Sequence, residues 1–257
     1  MQNGPEIWVY DIECSPNLVY AWSLWDLKVG INQIVEPQDI ISFAAHKIGT
    51  KTIETHASWD GYEAMLNRLH EIMDGADYMV GYNHAGFDNK HVRAAFAKAG
   101  MPPPAPWRDI DLLRVVKKNF RFPSHKLEYV CKALNLDAKM QTGGFELWTA
   151  CMNGDEKAQR KMLRYNKMDV QITTQLYHRL LPYVEGLNVP LFDSGGTGMG
   201  TDQGLASCTR CGGNRIHSKG WAYTTTTRYR RFQCKGCGGW MRAAKSEPVV
   251  SAVLRNG

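Results

Sequence analysis

Ile7-Trp8-Val9-Tyr10-Asp11-Ile12-Glu13 is the stretch on which the reading of the whole chain turns. Its apolar, β-branched and aromatic residues predict a buried strand. Side chains two apart in a strand share a face, so Asp11 and Glu13 point the same way. Two carboxylates side by side at the end of a buried strand repel each other and cost desolvation. A divalent metal ion relieves both penalties. A plainer reading has Asp11 capping the next turn and Glu13 solvated. The D-x-E pattern is so common that the rest of the chain must decide between them.

After a turn at Ser15-Pro16-Asn17, strands are expected over Leu18–Trp25, Ile40–Ile48 and Thr52–Trp59, forming an antiparallel meander. Asp60 and Glu63 have the spacing of a capping box before a helix striped by Met65, Leu66, Leu69, Ile72 and Met73. Tyr78–Asn83 reads as another strand. The helix after it carries Val92, Ala95, Phe96 and Ala99 on one face and Asp88 in its first turn, where the helix dipole favours a carboxylate. Helices are expected over Ile110–Phe120 and Lys126–Leu134, and a short one over Phe145–Met152 beyond Gly143-Gly144. A long one runs from Asp155 to about Val184. On that helix Tyr165 and Asp169 are four apart and share a side. An Asp in mid-helix has poor propensity and nothing to cap, which favours function over a solvated pair.

Composition is that of a soluble globular protein, 44% hydrophobic and 22% charged. No apolar run approaches the roughly 20 residues that span a bilayer, and Met1 is followed by no secretory pattern. The expectation is a cytoplasmic protein with no membrane partner. The net charge of +6 is unevenly distributed: nine Lys or Arg and no Asp or Glu lie between Ala206 and Ser246. Residues 1–205 carry 21 basic and 24 acidic side chains. A segment so basic favours a polyanionic partner.

Asp11-x-Glu13, Asn83-x-x-x-Phe87-Asp88 and Tyr165-x-x-x-Asp169 follow one another on a strand end, a strand–helix junction and a long helix. Together they resemble the DEDD superfamily of 3′–5′ exonucleases, which includes the proofreading domains of DNA polymerases. Tyr165, four before the last aspartate, is similar to the DEDDy branch; the DEDDh branch has a histidine five before it, where this chain has Arg164. The resemblance covers about residues 5–185 and implies an α/β fold, a ribonuclease H-like mixed sheet flanked by helices. It implies two catalytic Mg²⁺ or Mn²⁺ ions held by Asp11, Glu13, Asp88 and Asp169. Asp11 would bridge the two, Glu13 and Asp169 would serve the water-side metal, and Asp88 the other. Tyr165 would orient the attacking water. Asn83 and Phe87 would shape the substrate pocket, although a turn-former and a core ring account for them nearly as well.

Cys208-Thr-Arg-Cys211 and Cys234-Lys-Gly-Cys237, 22 residues apart, resemble a zinc ribbon with one structural Zn²⁺. Seven cysteines, an odd number, argue against a disulfide framework. A module this small needs its metal to fold. Gly212-Gly213 and Gly238-Gly239 suit tight knuckles whose amides face thiolate sulfur. Arg228, Tyr229, Arg230 and Arg231, near Trp221, place guanidinium groups among rings on hairpin strands, as phosphate binding and base stacking require. An aromatic mini-core with solvated charges is the plainer alternative.

The expected organisation is an exonuclease domain over 1–188, a glycine-rich linker over 189–205, the ribbon over 206–245 and a tail over 246–257. The expected function is removal of nucleotides from the 3′ end of single-stranded DNA, with a replication or repair protein as the expected partner. RNA is the alternative substrate. An idle protein that binds nucleic acid through its ribbon is the alternative class.

Overall fold

The computed structural model describes residues 4–26, 28–137, 144–192, 207–224 and 227–247. Gly143, residues 193–205 of the expected linker and residues 248–257 of the expected tail lie outside them. Two compact units divide the chain: Glu6–Tyr177, and the residues from His178 onward together with those before Glu6.

In the larger unit β1 (Ile7–Cys14) is the middle strand of five. After the short strands β2 (Leu18–Val19) and β3 (Ile34–Glu36) come β4 (Ile40–Lys47), β5 (Ile53–Ala57), helix α1 (Tyr62–Asp74) and β6 (Tyr78–Gly81). Then follow α2 (Asp88–Lys98), β7 (Arg108–Asp111), α3 (Leu112–Asn119), α4 (Leu127–Ala133), α5 (Glu146–Met152) and α6 (Glu156–Leu180). The sheet order is β5-β4-β1-β6-β7. β4 runs antiparallel to β1 and to β5, while β6 and β7 run parallel to β1. A mixed sheet flanked by helices is the fold the sequence led us to expect.

The core explains this order. Phe43 and Met79 are fully buried on the sheet, and Leu66, Leu69 and Met73 of α1 join Val92 and Phe96 of α2 against them, while Val9 and Val80 are fully buried too. Burying each such side chain stabilises the fold by about 1.5–3 kcal/mol before chain entropy is counted. Tyr10 is buried as well, and its hydroxyl donates to Asn89 Oδ1 on α2. That bond removes the cost of an unpaired phenol.

Four local expectations need correction. Leu18–Trp25 is not a strand of the sheet: only Leu18–Val19 pairs, with β3, in a separate two-stranded ribbon. β1 and β4 pair directly with each other up to Cys14 and Ile40, so the sheet has no slot for it. Tyr20, Trp22, Leu24 and Trp25 consequently stand 77–98% exposed. Residues 108–111 are strand β7, so the helix expected from Ile110 begins only at Leu112, and the Asp111 carboxylate caps it by accepting from Leu113 N. Asp60 closes a 3-10 turn; Gly61, at φ +130°, starts α1 with no side-chain cap. The long helix stops at Leu180, where Pro182 enters a 3-10 turn.

In the smaller unit β8 (Ile216–Tyr223), β9 (Arg228–Cys234) and β10 (Trp240–Arg242) form an antiparallel sheet in the order β10-β9-β8. Residues Val189–Phe192 form a 3-10 turn, whose Val189 amide donates to the carbonyl of Thr209.

Candidate functional site

β1, β6 and β7 are parallel, so their carboxyl ends share one edge of the sheet, the edge at which open α/β sheets bind ligands. β1 brings Asp11 and Glu13 there, opposite Ala44 and Ser42 of β4. α6 brings Asp169, 3% exposed, to the same place. Carboxylate oxygens of Asp11, Glu13 and Asp169 all lie within 4.8 Å of one another. Three hard oxygen donors at that spacing suit a divalent cation such as Mg²⁺ or Mn²⁺ and are ill suited to stand together without one.

Asp88 is not in that cluster. It lies buried in the first turn of α2, and its Oδ1 accepts from the amide of Ile12, the residue between Asp11 and Glu13, at 3.2 Å. It therefore adjoins the cluster through the backbone of β1. Burial pushes its pKa up, outweighing the Ile12 amide and the nearby His84 and His91, which pull it down. Asn83 follows β6 with φ +66°, and its amide donates to Asp111 Oδ1 at 3.0 Å. Phe87 is 43% exposed and packs on His91 with ring centroids 4.5 Å apart, so it is no core ring.

Tyr165 is one turn before Asp169 and hydrogen-bonds to its carboxylate, with the phenol as donor. Its ring meets Trp148 edge-on at 6.1 Å. Burial, then the carboxylates of Asp169 and Glu13, hold its pKa well above 10. The phenol keeps its proton at neutral pH and is a hydrogen-bonding group rather than a base. Ile41 and Cys151, packed in the same cluster as Tyr165, also line a cavity of about 630 Å³ together with Ser15, Asp39, Trp59 and Tyr62.

Two features escaped the sequence reading. Asn166 is fully buried, and its Nδ2 donates to Asp11 Oδ2 at 2.9 Å. The signal was there: four residues past Met162, on the buried face of α6, stands an amide where an apolar residue would serve the core. The second is Asp109 on β7, whose Oδ1 accepts from His84 Nε2, Asn89 Nδ2 and Trp107 Nε1 at 2.8–3.0 Å.

In the smaller unit the sulfurs of Cys208, Cys211, Cys234 and Cys237 gather within 4.8 Å, the closest pairs at 3.6 and 3.7 Å. The two knuckles share one pattern. The Gly212 amide donates to Cys208 O and the Gly238 amide to Cys234 O, each glycine in the left-handed region. A Cβ on Gly213, Gly236 or Gly239 would come within 3.3–3.4 Å of a cysteine sulfur. Four thiols in so close a cradle fit a tetrahedral Zn²⁺ site. Beside it, Arg228 and Arg230 both lie over the ring of Trp221, at 4.3 and 4.2 Å; Arg231 lies over Trp240 and Arg242 over Tyr229. Arg230 also pairs with Glu247 at 2.7 Å.

Comparison with known proteins agrees with this geometry at the level of fold. A family model described as the RNase_H superfamily matches residues 35–181, a span that holds Asp88, Tyr165 and Asp169 but begins after Asp11 and Glu13. Among curated proteins no sequence matches. Among solved structures, the family B DNA polymerase of the hyperthermophilic archaeon Pyrobaculum calidifontis is similar, with a TM-score of 0.51 and 17% identity. The match covers 69% of this chain but only 25% of the polymerase.

Proposed function

This chain belongs to the RNase H superfamily, and on that premise we propose that it is a 3′–5′ exonuclease of DEDDy type that shortens single-stranded DNA. The observation that carries the proposal is the meeting of Asp11, Glu13 and Asp169 within 4.8 Å at the carboxyl end of β1. Divalent ions, when bound there, supply the positive charge that favours an attacking hydroxide and a departing 3′ oxygen. The chain's own residues do the rest. Asp11, Glu13 and Asp169 present oxygen donors, and Asp88, next to them across the Ile12 amide, completes the set. Tyr165 keeps its proton, fixes the Asp169 carboxylate with it, and can accept a hydrogen bond from the water it orients.

A single strand suits the surroundings of the site. The ribbon arm that leaves β1 after Cys14 and returns at Ile40 carries Tyr20, Trp22 and Trp25 almost fully exposed, rings on which unpaired bases can stack. In the smaller unit, Zn²⁺ held by the four cysteines would fix the hairpin that displays Arg228, Tyr229, Arg230 and Arg231 for phosphate contact.

The test is a 5′-labelled DNA oligonucleotide, with an RNA of the same sequence, incubated with Mg²⁺, Mn²⁺ or chelator. The wild type should shorten the DNA only with metal. Asp11→Ala and Asp169→Ala should each slow it by at least about 10³-fold while remaining folded, because each also relieves like-charge repulsion. Wild-type rates in Asp11→Ala would refute the proposal. Faster loss of the RNA would move the substrate to RNA. Tyr165→Phe should be milder, about 10²-fold, since the carboxylates remain.

A further inference from the structure

Asn166 and Ser42 are both without solvent exposure, one on α6 and one on β4, and they meet beside Asp11. Asn166 Nδ2 donates twice to one residue, to the Asp11 carboxylate Oδ2 at 2.9 Å and to the Asp11 carbonyl at 3.2 Å. At its other end, Oδ1 accepts from the Ser42 hydroxyl at 3.4 Å. Ser42 is the register partner of Glu13, so this chain of contacts crosses the site from β4 to α6 to β1.

Each of these facts asks for a reason. A buried amide is costly unless its donors and acceptor are satisfied, and Asn is a poor residue for a helix interior. A leucine at 166 would serve the core better. What the amide does is hold one carboxylate by its side chain and its backbone at once, so that the Asp11 side chain cannot swing away from Glu13 and Asp169. It does so without charge. A lysine there would also bind Asp11, but it would neutralise the very charge that a metal ion needs. Asp11 decides which end of the amide faces it: its carboxylate and carbonyl oxygens only accept, so the NH₂ group turns to them, and the Ser42 hydroxyl, free to donate, holds the Oδ1 that is left.

We infer that Asn166, held at its far end by Ser42, is the positioning residue that fixes the Asp11 carboxylate for metal binding. The inference rests on the reading of Asp11, Glu13 and Asp169 as a divalent-metal site. Residues that orient metal ligands typically change metal affinity about 10–100-fold when removed.

Titration of the full-length, zinc-loaded chain with Mn²⁺, by calorimetry and by the loss of free-Mn²⁺ spin resonance, needs no nucleic acid and so is independent of activity. Asn166→Ala should weaken Mn²⁺ binding about 10–100-fold. In the cleavage assay its rate should recover at high Mn²⁺, with KM for the strand unchanged. Ser42→Ala should shift both measurements in the same direction by a smaller factor, several-fold. Wild-type Mn²⁺ affinity in Asn166→Ala would overturn the inference. Should that variant fail to fold, Ser42→Ala decides in its place, and unchanged affinity there would overturn it equally. Asp11→Ala separates the two levels. If it binds Mn²⁺ as the wild type does, the metal-site reading falls and takes this inference with it. If it binds weakly while Asn166→Ala matches the wild type, only the role of Asn166 falls.

Discussion

Asp88 stands 5% exposed at the start of α2, with its charge desolvated and the Ile12 amide donating to it at 3.2 Å. Burial raises its pKa, so the ionised form that would serve a metal is held at the expense of the fold. Asp88→Asn keeps an acceptor for the Ile12 amide and removes the charge. In chelator at neutral pH it should raise the melting temperature, on the order of 2–4 °C, while cleavage with metal falls sharply. Calorimetry alongside the oligonucleotide assay checks both; a lowered melting temperature would mean that the Asp88 charge is already compensated. Part of this site was legible residue by residue. Asp11 and Glu13 declare themselves because a strand puts i and i+2 on one face, and Tyr165 and Asp169 because a helix does the same at i and i+4. For Asn166 the helical spacing after Met162 made only the burial legible, not the role. Its role depends on Ser42, 124 positions away in sequence, and no local periodicity carries that contact.

β7 shows the same limit for elements. Arg108-Asp-Ile-Asp111 is four residues long, too short for alternation to register, and the apolar residues of α3 follow at once, so the junction read as helix. The exposed arm was misread for the opposite reason: Leu18–Trp25 has the composition of a strand, but the sheet closes beneath it. α1, α2 and β1 were plain because their apolar residues repeat with one clear period against one core. β7 nevertheless anchors the site through Asp109. Burial alone would raise this carboxyl, but hydrogen bonds from His84, Asn89 and Trp107 outweigh it and bring the pKa from 3.8 down to about 2. A folded-state pKa below the unfolded one stabilises the fold above about pH 4, and that contribution disappears as pH falls from about 4 towards 2. Melting temperatures measured across this window should fall less steeply for Asp109→Asn than for the wild type. Parallel curves would show that the network does not set the acid stability of the β6–β7 edge.

For the whole molecule, charge separates two kinds of surface: the carboxylates gather on the larger unit, and the basic excess between Ala206 and Ser246 lies on the smaller one. No helix among the described residues is long and apolar enough to cross a membrane. If the cysteine module grips the strand, replacing Arg228, Arg230 and Arg231 together with Ala should weaken binding of long single strands. It should also flatten the salt dependence, by about one slope unit for each phosphate that is no longer neutralised, with zinc content unchanged. Equal affinity and slope in filter binding would leave the module to another partner. The carboxylates of β1 and α6 are proposed to remove nucleotides one at a time from a 3′ end. The most direct test follows a 5′-labelled single strand with Mg²⁺ or Mn²⁺, beside the same sequence closed into a circle. A ladder descending by single nucleotides, with the circle intact, is the predicted result. Nicking of the circle at a comparable rate would contradict it.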